Sequence, residues 1–211
     1  PQPYAGVQMG AAGTLAEFPK IQAALKLEGE IGYGAAKNRT FVPGEAPPVT
    51  ELAFGGVRTV LMRRLGKHVA AGFGVGFQGT SILVQPNSLY TGHRYLAGDS
   101  MVRISWLARP GILEVSGQAG AFPVFATNNS NSAHGEALSF GGSVGLEADF
   151  NLTPGMGERP AQGLHLVTRY RYDRYRARFP LSPFGPSGAH SVDNLHVLSI
   201  LIDYSIPTLG E

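Results

Sequence analysis

Residues 138–152, LSFGGSVGLEADFNL, alternate almost without a break. Leu138, Phe140, Val144, Leu146, Ala148, Phe150 and Leu152 share one parity, and Ser139, Gly141, Ser143, Gly145, Glu147, Asp149 and Asn151 share the other. Successive side chains leave a strand on opposite faces, so a period of two predicts a strand with one apolar and one polar face. In a soluble sandwich the apolar face is the core. In a membrane barrel it meets lipid and the acids turn inward.

The same period recurs along the chain. It sets Leu25, Leu27, Ile31 and Tyr33 against Lys26, Glu28 and Glu30, and Phe73, Val75 and Phe77 against Gly72, Gly74, Gly76 and Gln78. Further on, Leu113 and Val115 oppose Glu114 and Ser116, Leu164, Leu166, Tyr170 and Tyr172 oppose His165, Arg169, Arg171 and Asp173, and Leu198, Ile200, Ile202 and Tyr204 oppose Ser199 and Asp203. Counting from Ile21 predicts eight strands, at about 21–36, 50–63, 68–83, 99–109, 112–125, 137–152, 163–175 and 192–206. The second and fourth alternate less cleanly, with Arg58 and Arg103 as misfits. Long connections rich in turn formers, such as KNRTFVPGEAPPV and RARFPLSPFGPSGAHS, take turns with short ones, RLGK and RPG. One end of the sheet thus carries tight turns and the other carries loops, the layout of outer-membrane barrels.

Composition helps decide which face is inside. Charged residues make up 15% of the 211 residues, against roughly 25% in an average soluble protein. Lysine occurs only at positions 20, 26, 37 and 67, sparse for a face that meets water. The polar parity carries both signs, at Lys26, Glu28, Glu30, Glu114, Glu147, Asp149, Arg169 and Arg171. In a narrow, side-chain-filled lumen such charges can pair, with Glu147 and Asp149 expected to meet Arg169 or Arg171 on the next strand. Aromatic residues on the apolar parity near strand ends fit interfacial girdles. A soluble sandwich or ligand-binding barrel is the weaker alternative.

The remaining numbers exclude other classes. A net charge of +2 gives no footprint for nucleic acid. Without cysteine there is no disulfide framework, thiolate nucleophile or thiolate metal site. No window approaches the ~18 apolar residues of a transmembrane helix. The chain opens at Pro1 with no basic-then-apolar leader, as expected of a processed or trimmed chain.

On strand pattern and loop layout, residues 20–206 resemble the small eight-stranded outer-membrane β-barrels of Gram-negative bacteria, the group around outer membrane proteins A, X and W. The resemblance implies an all-β, antiparallel, up-and-down transmembrane barrel in the outer membrane, with lipid and lipopolysaccharide as surroundings and other envelope proteins as partners. It implies a structural anchor or adhesin, or a component of a trans-envelope secretion or gliding-motility machine, rather than an enzyme, and no cofactor. A narrow solute pore and a lipid A-modifying enzyme are the alternatives. Two departures stand out. Tyr204 is followed by SIPTLGE instead of closing the chain on an aromatic residue, leaving 207–211 as a tail. Residues 1–19, with YAGVQMGAAG, are a periplasmic extension, a plug, or part of an extra strand pair in a ten-stranded barrel.

Few motifs carry chemistry. GFGVG at 72–76 lacks the Gly-Lys-Ser/Thr of a phosphate loop and reads as small lumen residues. The histidines at 68, 93, 134, 165, 190 and 196 show no ligand spacing. His190–Ser191 and His196–Ser199 are close Ser–His pairs, and odd spacing on a strand puts such pairs on opposite faces. NRT at 38–40 and NNS at 128–130 read as loop residues despite matching a glycosylation acceptor. The segment after the seventh counted strand, DRYRARFP, gathers Arg174, Arg176 and Arg178, with Phe179 and Phe184 beyond, and His93 and Arg94 fall in another loop. Arginine matches phosphate bidentately, so these residues form a candidate lipopolysaccharide- or partner-binding rim.

Overall fold

The computed structural model describes residues 5–37, 48–85, 93–109, 111–129, 138–153, 163–179 and 189–205. These form nine strands: β1 Ala5–Phe18, β2 Ala23–Lys37, β3 Val49–Arg64, β4 Val69–Gln85, β5 His93–Arg109, β6 Leu113–Asn129, β7 Leu138–Asn151, β8 Gly163–Phe179 and β9 Ala189–Ser205. Every neighbour pair is antiparallel and the sheet order follows the chain, an up-and-down meander. A single 3-10 turn, Pro19–Ile21, is the helical element among the described residues.

The strands run to 14–17 residues, well above the ~5–6 usual in soluble sheets. Tight turns close one end. At Arg109–Ile112 the Ile112 amide donates to the Arg109 carbonyl at 2.9 Å, and Gly111 adopts φ 74, a left-handed conformation that favours glycine. The strand ends Lys37 and Val49, Gln85 and His93, Asn129 and Leu138, and Phe179 and Ala189 lie at the other end.

The sheet curls strongly, because side chains on non-adjacent strands meet across its inner face. Glu28 on β2 reaches Arg103 on β5, Glu30 on β2 reaches Arg169 on β8, and Thr80 on β4 reaches Tyr175 on β8. The first and last strands approach as well, with Ser199 Oγ on β9 donating to Gln8 Oε1 on β1 at 2.5 Å. In a nine-strand meander β1 and β9 run in the same direction. Among the described residues no ladder joins them.

Two sequence expectations change here. Eight strands become nine, because residues 5–18 join the sheet as β1, paired along its length with β2. Its alternation is carried largely by glycine and alanine, which weakens the signal. Strands β5 and β8 also run further than expected. His93, Arg94, Arg174, Arg176, Arg178 and Phe179 are strand residues, not loop residues. Phe184, His134, the 38–40 triplet and the 207–211 tail lie outside the described residues, as do the side chains of Phe179, His190 and Ser191.

Candidate functional site

On the turn-side part of the barrel-like sheet the outer face is apolar and open. Phe73 is 54% exposed, Val75 50%, Leu146 63%, Leu198 72% and Ile200 72%. The opposite parity turns inward. Glycines there admit their neighbours: a Cβ at Gly72 would meet the Met62 side chain, and one at Gly76 would collide with the β3 backbone. GFGVG is thus a row of close approaches to β3, not a phosphate cradle.

Between these small residues sits a network of inward charges. Glu28 accepts from Arg58 Nε at 2.8 Å and from Arg103 Nη1 at 2.6 Å. Glu30 accepts from Arg169 Nη1 at 3.0 Å and from Arg171. Arg169 Nε also reaches Glu147 at 2.6 Å, and Arg171 Nε lies 2.9 Å from Asp173. Arg58 extends the network to Asp99 at 3.7 Å. Gln8 donates to Glu30 and joins β1 to the same cluster. Charges removed from bulk water persist only when paired and hydrogen-bonded, and here each of the two central glutamates serves two arginines.

Toward the turn end, Asp149 bonds His165 Nδ1 at 2.7 Å. Glu114 faces Asp149 across the β6–β7 ladder, and Lys26 shares the parity of Glu28 but is exposed. Neither Glu114 nor Lys26 has an ion pair among the described residues. Of the polar set read from sequence, Glu28, Glu30, Glu147, Arg169 and Arg171 thus converge, Asp149 pairs separately, and Lys26 and Glu114 stand apart.

Arg58, Asp99, Arg103 and Asp173 complete the network. The signal for Arg58 and Arg103 was present as their poor fit to an apolar parity.

Above the charges, toward the loop end, the interior becomes apolar. Leu52, Tyr95, Ala97, Phe122, Tyr175, Ala177 and Leu195 form one buried cluster. Tyr95 and Tyr175 stack at 4.4 Å and Phe122 lies 5.0 Å from Tyr175. Gly141 makes room for Phe122, since any Cβ there would overlap the ring. Thr80 and the Tyr175 hydroxyl are 2.7 Å apart, and Tyr95 donates to Asp193, which also holds His93 at 2.8 Å. This stopper sits above the charges on the inner face of the curled sheet.

Along β8 the polarity of the two faces inverts between these levels. On β8, Leu164, Leu166 and Tyr170 face out while Arg169, Arg171 and Asp173 face in. Past Tyr172 the order reverses. Arg174, Arg176 and Arg178 face out, exposed, while Tyr175 and Ala177 face in at 1% and 2% exposure. On β9 only the outer face changes, from Leu198, Ile200 and Ile202 to His196 and Asn194, before Val192 returns it to apolar. Arg94 also faces out on β5, but β6 and β7 separate it from β8.

His196 faces out and Ser199 in, so they form no nucleophile–base pair. Among the described residues no three potential metal ligands cluster. Compared with protein-family models, curated proteins and solved structures, the chain matches none.

Proposed function

We propose that this chain is an integral outer-membrane β-barrel with a filled lumen. It acts as a structural anchor that presents loops at one end and turns at the other. Adhesion, envelope organisation or membership of a trans-envelope machine of the secretion or gliding-motility type are the roles such an anchor serves. The observation that carries this reading is the inversion of polarity along β8. An antiparallel sheet in water commonly packs one apolar face on a core and solvates the other. A strand that is apolar-out with charges inside at one level and charged-out with an apolar interior above it suits a hydrocarbon layer meeting water.

The ladder registers support closure. Stepping across the sheet from Ser199, the paired residues are Arg169, Glu147, Ser116, Ser105, Ala70 and Arg64, ending at Gln22. Ser199 nevertheless touches Gln8, far along β1. That offset, roughly ten residues of ~3.3 Å over strands ~4.8 Å apart, gives a strand tilt of about 40°, which closed barrels require.

The stopper and the ion-pair network favour an anchor over a conduit. A narrow solute pore is the second reading, and the inner parity of β1 favours it, since Gly6, Gly10 and Ala12 leave that wall unfilled. Heat-modifiability after membrane extraction tests the barrel: a band that shifts on boiling is expected, and a freely soluble protein ends the proposal. Conductance across planar bilayers then separates the readings, because steady ion-specific currents would replace the anchor with the pore.

A further inference from the structure

The outward face of β8 above Tyr172 holds three guanidiniums in one row, Arg174, Arg176 and Arg178, spanning about 13 Å along the strand. All three are exposed, and no ion pair joins them to any described residue. Their ladder neighbours offer no counter-charge: Arg174 lies between Gly142 and Asn194, and Arg176 between Phe140 and Val192. Among the described outward residues of β7, β8 and β9 there is no carboxylate, because Asp173 and Asp193 share the inward parity. With no carboxylate among the described outward residues beside them, the guanidiniums are open to pair with an anion from outside the chain.

The floor beneath the row is ordered and aromatic. Tyr170 and His196 Nδ1 are 2.8 Å apart, Tyr172 donates to Asn194 at 2.8 Å, and the Tyr172 and His196 rings lie 4.8 Å apart. With Val144 and Arg174 these residues line a shallow depression on the outer surface. Directly below are Leu198, Leu146 and Ile200, all open apolar positions.

We propose that this β8–β9 face binds the phosphate-bearing headgroup of an outer-leaflet lipid. The acyl chains would lie on Leu198 and Ile200, the sugar or glycerol on Tyr170, Tyr172 and His196, and the phosphates on Arg174 and Arg176. Guanidinium matches phosphate with two parallel hydrogen bonds, and tyrosine suits the boundary between chain and headgroup. The inference rests on the membrane reading above, which sets Tyr172 at the interface, and deepens it by giving one side of the barrel a preferred lipid.

The test uses the full chain refolded in micelles, titrated with bisphosphorylated lipid A, with its dephosphorylated form, or with inorganic phosphate, and read by unfolding temperature and native mass spectrometry. Bisphosphorylated lipid A is expected to bind and stabilise. Removing its phosphates, or the double substitution Arg174→Gln/Arg176→Gln, is expected to weaken binding at least tenfold, with Arg94→Gln unchanged. Equal binding with and without lipid phosphates, equal loss in Arg94→Gln, or equal stabilisation by inorganic phosphate alone would overturn the proposal. Insertion into phosphatidylcholine vesicles, scored by the heat-shifted band, is run alongside. A chain that inserts but ignores lipid phosphate sinks only this inference, whereas one that never inserts sinks the barrel with it.

Discussion

The two halves of β8 use the same residue types for opposite ends. In the lower half Arg169 and Arg171 point inward, where Glu30, Glu147 and Asp173 hold them. In the upper half Arg174, Arg176 and Arg178 point outward, and the interior goes to Tyr175 and Ala177. A charge is tolerable wherever something stabilises it, and the strand offers two such places at two heights. On the proposed membrane reading, what changes between them is which side of the sheet is dry.

The strongest way to break the comparison is at the network. Glu28→Leu strips the shared carboxylate from Arg58 and Arg103, leaving inward charges uncompensated, and is expected to cost about 3–5 kcal/mol. Urea unfolding of the refolded barrel in vesicles measures it. A loss within error would mean water reaches those arginines freely. Next comes a paired substitution on the outer face. Leu146→Arg, in the apolar band, is expected to cost roughly 2–4 kcal/mol or block assembly. Asn194→Asp, above the inversion, keeps the acceptor for Tyr172 and faces Arg174 across the ladder, and is expected to stay within about 0.5 kcal/mol. Similar outcomes at both sites would erase the proposed boundary. The smallest effect is expected at Glu147→Gln, because Arg169 keeps Glu30 as a second acceptor. Heat-shift assays should rank it well below Glu28→Leu, and the reverse order would show that Glu147 anchors the network.

Legibility in the sequence followed how cleanly each strand divides its faces. β7 reads directly, since every inward position from Ser139 to Asn151 is small or polar and Phe140, Val144 and Leu146 stand outside. β3 and β5 do not, because their inner faces change character along their length. Leu52 and Phe54 precede Arg58, and Tyr95, Ala97 and Met101 precede Arg103, so apolar residues occupy both parities. The far end of β8 alternates with its polarity inverted, which makes DRYRARF look like a loop. Pairs between adjacent strands, such as Glu147 with Arg169, follow from parity and order. Contacts such as Glu28 with Arg103 depend on curvature, which no local period encodes.

The meeting of Gln8 with Ser199 bears on how the molecule assembles. Among the described residues every ladder joins consecutive strands, so pairing can advance like a zipper from each strand to the next. The contact between first and last strands, separated by 191 residues, is of another kind. It gains nothing until the sheet between is in place, so it belongs at the end of the folding trajectory. A cysteine pair at Gln8 and Ser199 would time it: cross-linking is expected to lag ladder formation, and simultaneous appearance would mean that the ends meet first and template the rest.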